Sequence, residues 1–431
     1  MKKALLLLIL LLPAVGKAVF AQPSINGYAY FTYMPLEWSM VYDPDKIRTD
    51  EQKEDDLRAG FGGYWGTNTG RFQLFIQQYT HLMGYQGSLL FENGGFHIER
   101  ANAWVRPFDW LKFEAGRFDN WTLGGKVSAD NRFNLMVLRP ELVSSGFPHE
   151  QAIMYKFTTD QYGAELTFNP IPDLSINVGL PSLGGFTGDP ARGFVSGGKA
   201  KEVYSKVHVS AGYVRHGFGH FRAQYIGQPK YPLDNVLEQM SNERRNVFIN
   251  YRNLSRFELA FAYMQVRDLL IDFGIKFAPF LKGDQDAFYN PGIMFGLGVY
   301  HILGNFSYKF LASGHFANYY TISDSNIEKG YRYSDNFNFH FIPEYRYWFG
   351  TFGLNLGVDI LGQEKIRDTV LASTGRVNFG AGAWFRKPII GNGDITVGLA
   401  YTYLGVTGDG ERQPGSTSGF FRIPVTMAVI F

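Results

Sequence analysis

Phe352-Gly353-Leu354-Asn355-Leu356-Gly357-Val358-Asp359-Ile360 sets a large apolar side chain at every even position and glycine, asparagine or aspartate at every odd one. The same period of two recurs downstream. Val377, Phe379, Ala381, Ala383 and Phe385 share one face against Asn378, Gly380, Gly382 and Trp384. Ile395, Val397, Leu399, Tyr401 and Tyr403 stand likewise against Thr396, Gly398, Ala400 and Thr402. Phe421, Ile423, Val425, Met427, Val429 and Phe431 form a last such run. Side chains that alternate with period two belong to a strand, so each run is a strand with one apolar face. No helical pattern lies between the runs to cover that face. Strands of about ten residues with a bare apolar side suit a sheet turned toward lipid.

At the other end, Lys2 and Lys3 precede an apolar run from Ala4 to Val15, and Ala18-Val19-Phe20-Ala21 offers small residues for cleavage. That layout predicts a secretory signal peptide over residues 1–21, too short to span a bilayer as a helix. One domain is expected over residues 22–431. With Lys2, Lys3 and Lys17 removed the remainder is close to neutral, so nucleic acid is not an expected partner. There is no cysteine, so no disulfide framework supports the fold. The 50 glycines and the 17% aromatic content fit a transmembrane barrel, which uses small residues inside and aromatic girdles at both interfaces.

Between the two ends the strands keep coming. Ile25 to Tyr33 is the first candidate, which leaves no room for a plug after the leader, and the acid-rich stretch from Pro35 to Leu57 reads as a solvated loop. Strands are expected near Ala59–Gly66 and Phe72–Tyr79, joined by the turn-rich segment Gly66–Gly70. Ala101, Ala103 and Val105 lead through a tight turn at Pro107–Trp110 into Leu111, Phe113 and Ala115, with Trp104, Phe108 and Trp110 expected at an interface. Asp119 to Gln151 is either a long loop folded into the lumen or a further strand at Phe133–Leu138 flanked by shorter loops. Further runs lie at Leu174–Leu180, Val203–Ala211, Phe221–Tyr225, Val247–Tyr251, Phe257–Tyr263, Leu269–Phe277, Ile293–Val299, Phe306–Phe310 and Phe337–Phe341. Tyr231–Arg245 suits a short loop helix. Short and long connections alternate at both ends of the chain and lose phase near Asn169–Asp173 and Tyr251–Asp268. The alternation favours about eighteen strands, with about 16–20 tolerable: an all-β antiparallel barrel with short periplasmic turns and long external loops.

Motifs for chemistry are weak. Gly193 to Ala200 has phosphate-loop spacing but alanine where the metal-binding hydroxyl belongs, and His149-Glu150 lacks the second histidine of a zinc-protease motif, Ile153 standing there. Asp284 with Asp286, or Asp409 with Glu411, reads as solvated loop before it reads as a calcium site. A nucleophile pair such as Ser205 with His208, or His220, is indistinguishable from wall residues. No enzyme, cofactor or metal is expected.

The alternation itself carries more. With the apolar face on lipid, Arg71, Arg100, Arg106, Lys112, Glu114, Lys156, Lys206, Arg222, Arg252, Arg256, Glu258, Asp272, Lys276, Lys309, His340, Asp359 and Arg386 all face the lumen. A basic side chain on the lipid side near the midplane costs roughly 2–4 kcal/mol, which fixes the choice of face. Side chains fill an eight-stranded barrel, whereas sixteen or more strands leave an aqueous channel. Basic residues outnumber acidic ones in these rows, which predicts a modest anion preference. If the long segment enters the lumen, Lys126, Asp130, Arg132, Arg139 and Glu141 line the constriction. Arg117 falls in phase with lipid-facing Leu111, Phe113 and Ala115, so a bulge or strand end is expected there.

The signal peptide, the alternating strands, the Pro107–Trp110 turn and the terminal strand ending in Phe431 together resemble bacterial outer-membrane β-barrel proteins, porin-like members in particular. The resemblance implies outer-membrane lipid around the barrel and recognition of Phe431 by the barrel-assembly machinery. It further implies a diffusion channel for small hydrophilic solutes. The alternative is a surface-exposed adhesion or binding barrel with a closed lumen.

Overall fold

The computed structural model describes residues 23–42, 57–61, 70–92, 95–120, 159–181, 207–227, 256–277, 281–282, 288–290, 293–316, 318–324, 327–333, 336–361, 365–366, 369–370, 376–389, 392–404 and 417–430. The elements in chain order begin with β1 (Ser24–Tyr42), β2 (Leu57–Phe61), β3 (Gly70–Tyr79), β4 (Met83–Glu92), β5 (Gly95–Phe108), β6 (Leu111–Asn120), β7 (Thr159–Ile171) and β8 (Leu174–Pro181). There follow β9 (His208–Arg215), β10 (Gly219–Ile226), β11 (Arg256–Tyr263), β12 (Leu269–Phe277), β13 (Leu281–Lys282), β14 (Phe288–Asn290), β15 (Ile293–Leu303), β16 (Phe306–Phe316) and β17 (Asn318–Asp324). The last are β18 (Ile327–Tyr333), β19 (Asn336–Tyr347), β20 (Gly350–Leu361), β21 (Lys365–Ile366), β22 (Thr369–Val370), β23 (Arg376–Ile389), β24 (Gly393–Leu404) and β25 (Thr417–Ile430). No helix occurs among the described residues.

Every strand of the wall pairs antiparallel with its sequence neighbour, and β1 pairs β25 from Tyr28↔Ile430 to Tyr42↔Thr417, which closes the ring at 18 strands. β2 and β3 occupy one position in that ring. Both run along the same edge of β1, β3 against Ser24–Phe31 and β2 against Tyr33–Trp38. The two strands of the expected hairpin, with its turn at 66–70, therefore do not pair as neighbours but follow one another along one wall position. Two strands absent from the sequence reading, β4 and β7, restore the alternation of short and long connections. The short connections at 80–82, 109–110, 172–173, 216–218, 264–268, 304–305 and 348–349 all lie at one rim.

At the opposite rim the sheet does not stop where loops were expected. β13 and β14 extend the β12–β15 ladder in unchanged register. β14 with β17 prolongs β15–β16, and β17 with β18 prolongs β16–β19. β18 with β21 continues β19–β20. The long connections expected at His315–Tyr333 and Gly362–Thr374 thus contribute β17, β18, β21 and β22 to a six-stranded sheet standing above the barrel. Backbone pairing once started costs least to continue, because each further pair adds hydrogen bonds without a new loop to close.

The outer face is apolar. Phe352, Leu354, Leu356, Val358 and Ile360 on β20 are all exposed, and Thr351, Gly353, Asn355 and Gly357 between them are buried. Phe108 and Trp110 stack at 5.2 Å beside the short-turn rim, as a girdle requires. Trp104 departs from the expectation that grouped it with them. Its neighbours Val105 and Ala103 are exposed on the lipid side, Asn102 is buried, and Trp104 turns inward with Asn102. Pairing also runs through Arg117↔Ala101 without a shift, so the expected bulge is absent and the strand continues to Asn120. The irregularity sits one residue earlier, at Gly116 with φ +124°, a conformation open to glycine.

Candidate functional site: the inner wall

Two rows of inward side chains cross the wall from β5 to β11. In the first, Trp104, Glu114, Glu165, Gly179 and His208 are successive cross-strand partners. In the second, Lys112, Thr167, Asn177, Ser210, Gln224 and Glu258 follow one another. Directly opposed carboxylates such as Glu114 and Glu165 repel unless neighbours neutralise them. Here they do. Lys112 Nζ lies 2.5 Å from Glu114 Oε2, and Asn102 Nδ2 donates to Glu114 Oε1. His208 Nδ1 is 4.0 Å from Glu165 Oε2. Arg222 donates to Ser210 Oγ at 3.1 Å and lies in the field of both Glu165 and Glu258, while Gln224 donates to Glu258. Glu165, His208, Arg222 and Glu258 are all buried. Burial of so many charges is tolerated only because each has a partner.

Elsewhere on the ring, Arg422 Nε donates to Glu37 Oε2 at 2.7 Å across the β1–β25 seam. Lys309 is buried on β16, and half-buried His340 lies against Gly357 across β19 and β20. Arg106 and Lys112 stand 5.8 and 5.5 Å from the Trp104 ring, and Arg386 stands 5.7 Å from that of Trp384. Near the short-turn rim the polar lining gives way to an apolar cluster of Ala262, Leu270 and Tyr300, with Met264, Ile302 and Leu311 packed on it.

Of the residues expected in the lumen, Arg106, Lys112, Glu114, Arg222, Glu258, Lys309, His340 and Arg386 have described side chains, and the contacts above are theirs. Arg71, Arg100, Arg256, Asp272, Lys276 and Asp359 hold register positions opposite Tyr30, Ser88, Ile226, Gly298, Met294 and Asn378. Lys156, Lys206, Arg252, the loop residues Lys126, Asp130, Arg132, Arg139 and Glu141, and Phe431 lie outside the described residues. So do both readings of Phe133–Leu138, the run Val247–Tyr251, the expected helix at Tyr231–Arg245, Gly193–Ala200, His149-Glu150, Ser205 and the acidic pairs of the loops. The sequence reading missed Glu37, Glu165, Glu344, Asp394 and Arg422. Glu165 stands between Ala164 and Leu166 in a run of the right period, and that run was the available signal.

A ring closed by β1–β25, an exposed apolar belt and a polar, charge-bearing inner face settle the architecture. The chain is a closed transmembrane β-barrel. No family model and no curated protein matches its sequence. Solved structures of outer-membrane proteins do resemble it. An anion-selective porin from Comamonas acidovorans is 10% identical, with 96% of this chain and 100% of that one covered at a TM-score of 0.48. OccAB4 from Acinetobacter baumannii is 9% identical over 95% and 99%, at 0.45. A loop L8 deletion mutant of OmpT, an outer membrane protein of Vibrio cholerae, is 9% identical over 95% and 100%, at 0.44.

Proposed function

We propose that this barrel is a porin-type, non-enzymatic channel of the bacterial outer membrane, through which small hydrophilic solutes diffuse with a modest anion preference. The single observation behind it is an 18-strand ring whose inner face bears paired charges and amides. A ring of that size is too wide for its own side chains to fill, and water is the solvent such a lining calls for. The preference for anions is weaker than the sequence alone suggests. Glu37, Glu165, Glu344 and Asp394 join the acids of the inner rows, against Arg422 as a further base, so the basic excess shrinks without vanishing. In this reading residues 1–21 direct export and Phe431 directs assembly. Recording from purified, refolded protein in a planar bilayer tests it: steady conductance with a chloride-favouring reversal potential in a KCl gradient supports the channel. The six-stranded sheet above the barrel favours a second reading, a binding or adhesion barrel with a closed lumen. Electrical silence of correctly folded protein would select that one.

A further inference from the structure

Two places on the inner wall repeat one arrangement. Ala101-Asn102-Ala103-Trp104-Val105-Arg106 and Ala381-Gly382-Ala383-Trp384-Phe385-Arg386 share the pattern Ala-x-Ala-Trp-x-Arg. In each, one of the two cross-strand partners of the tryptophan is a glycine, Gly84 for Trp104 and Gly353 for Trp384, the other being Glu114 and Gly398 respectively. A Cβ on Gly84 would stand 2.8 Å from Trp104 Cζ2, and one on Gly353 would stand 2.1 Å from Trp384 Cζ2. Each indole therefore lies directly over bare backbone, in a seat that any larger residue would fill. The arginine two positions on keeps the same face of the strand and sits by the ring, at 5.8 Å for Arg106 and 5.7 Å for Arg386. Both strands are close to their short turns there, ending at Phe108 and Ile389. The seats thus stand near one rim, with β4, β3, β1, β25 and β24 between them around the ring.

Polar atoms are left over at both. Arg106 Nε and Trp384 Nε1 are buried N–H donors with no hydrogen-bond partner among the described residues, and Trp384 is 4% exposed. A buried donor without an acceptor costs about 1–3 kcal/mol, so two of them at twin seats point to an acceptor supplied from the lumen. A guanidinium held against an aromatic face keeps its in-plane fork free for two parallel bonds to an oxyanion, which a lysine ammonium does not reproduce.

We propose that the two Trp-x-Arg seats are oxyanion sites at the short-turn end of the lumen, recognising the carboxylate or phosphate group of permeating solutes. This deepens the channel reading and rests on it. The arginines touch the solute, Trp384 adds its indole N–H to the second seat, and Trp104 is a positioning residue. The test uses the refolded full-length chain in planar bilayers, wild type beside Arg106→Lys/Arg386→Lys and Trp104→Leu/Trp384→Leu. Two quantities are read: the reversal potential in a KCl gradient, and the concentration of succinate or inorganic phosphate that halves the chloride current. The lysine pair keeps the charge, so its reversal potential stays at the wild-type value while the half-blocking concentration rises about fivefold. The leucine pair weakens block to a similar extent. Block by succinate assigns carboxylate solutes, and block by phosphate assigns phosphoryl solutes. A conducting, anion-preferring wild type whose block is unchanged in the lysine pair overturns the seats and leaves the channel standing. A wild type that is silent or cation-selective overturns both.

Discussion

Gly353→Ala probes the better enclosed of the two seats. An alanine Cβ there falls 2.1 Å from Cζ2, 2.2 Å from Cε2 and 2.8 Å from Cη2 of Trp384. Carbon atoms rest at about 3.5–4.0 Å, so the indole must retreat by roughly 1.5 Å. It cannot slide along the wall easily, because Trp384 is 4% exposed and packed on its remaining sides. Overpacking of this kind costs about 1–3 kcal/mol, and here the displaced ring also leaves the position from which it holds Arg386. The variant should unfold at lower urea than wild type by that margin, show a red-shifted tryptophan emission as the indole moves toward water, and lose part of its block by oxyanions.

Gly357→Ala on the same strand and face is the matched control. Its Cβ meets only His340 ring atoms, the nearest at 3.2 Å, and a shift of a few tenths of an ångström relieves the contact. A cost of about 0.5 kcal/mol or less is expected there. Should Gly353→Ala match Gly357→Ala in stability and keep the wild-type emission, the indole does not rest on the glycine and the seat is wrong.

Arg422→Ala leaves Glu37 without its 2.7 Å partner at the closing seam and should lower stability by about 1–3 kcal/mol, with Glu37→Ala/Arg422→Ala recovering part of the loss in heat-modifiability assays. Leu356→Arg sets a charge on the lipid face and should reduce the folded fraction in vesicles by about 2–4 kcal/mol; equal folding would mean that this face does not meet lipid. Glu114→Gln removes the carboxylate beside Lys112 and should move the reversal potential further toward that of chloride, whereas a shift toward potassium would refute an inward-facing Lys112.

What the sequence disclosed most clearly was the facing of long, regular strands. Leu354, Leu356 and Val358 alternate so cleanly with Asn355 and Gly357 that only one face suits lipid. Period alone was blind to pairing, however. Ala59 and Phe72 both begin apolar runs, and a hairpin and two successive pieces of one wall position have the same local pattern; the difference lies in which stretch of the same β1 edge each meets. β7 was hidden for another reason, since Gly163, Asn169 and Pro170 punctuate a run that tertiary pairing nevertheless carries from Thr159 to Ile171. The two tryptophans were legible only as polar-face or interface residues. Their partners Gly84 and Gly353 are remote in sequence, and a shared seat becomes visible when both registers are known.

The same distinction governs charge. Counting inward residues treats every cation alike, yet their surroundings differ. Lys112 touches Glu114, Arg422 touches Glu37, and Arg222 stands between Glu165 and Glu258, so each presents little net field to a passing ion. At a separation near 3 Å a pair looks from the lumen like a dipole, and its field falls off well within the ~8 Å screening length of physiological salt. Arg106 is different in kind: its contact is an indole, which holds the cation without cancelling its charge. A barrel close to neutral in total can therefore still favour anions, provided that its few uncancelled cations stand where the solute must pass. In this wall Arg106 combines an uncancelled guanidinium with a rigid support, whereas Arg386 shares its field with Asp394, and selectivity should follow such positions more closely than it follows the sum of the inner rows.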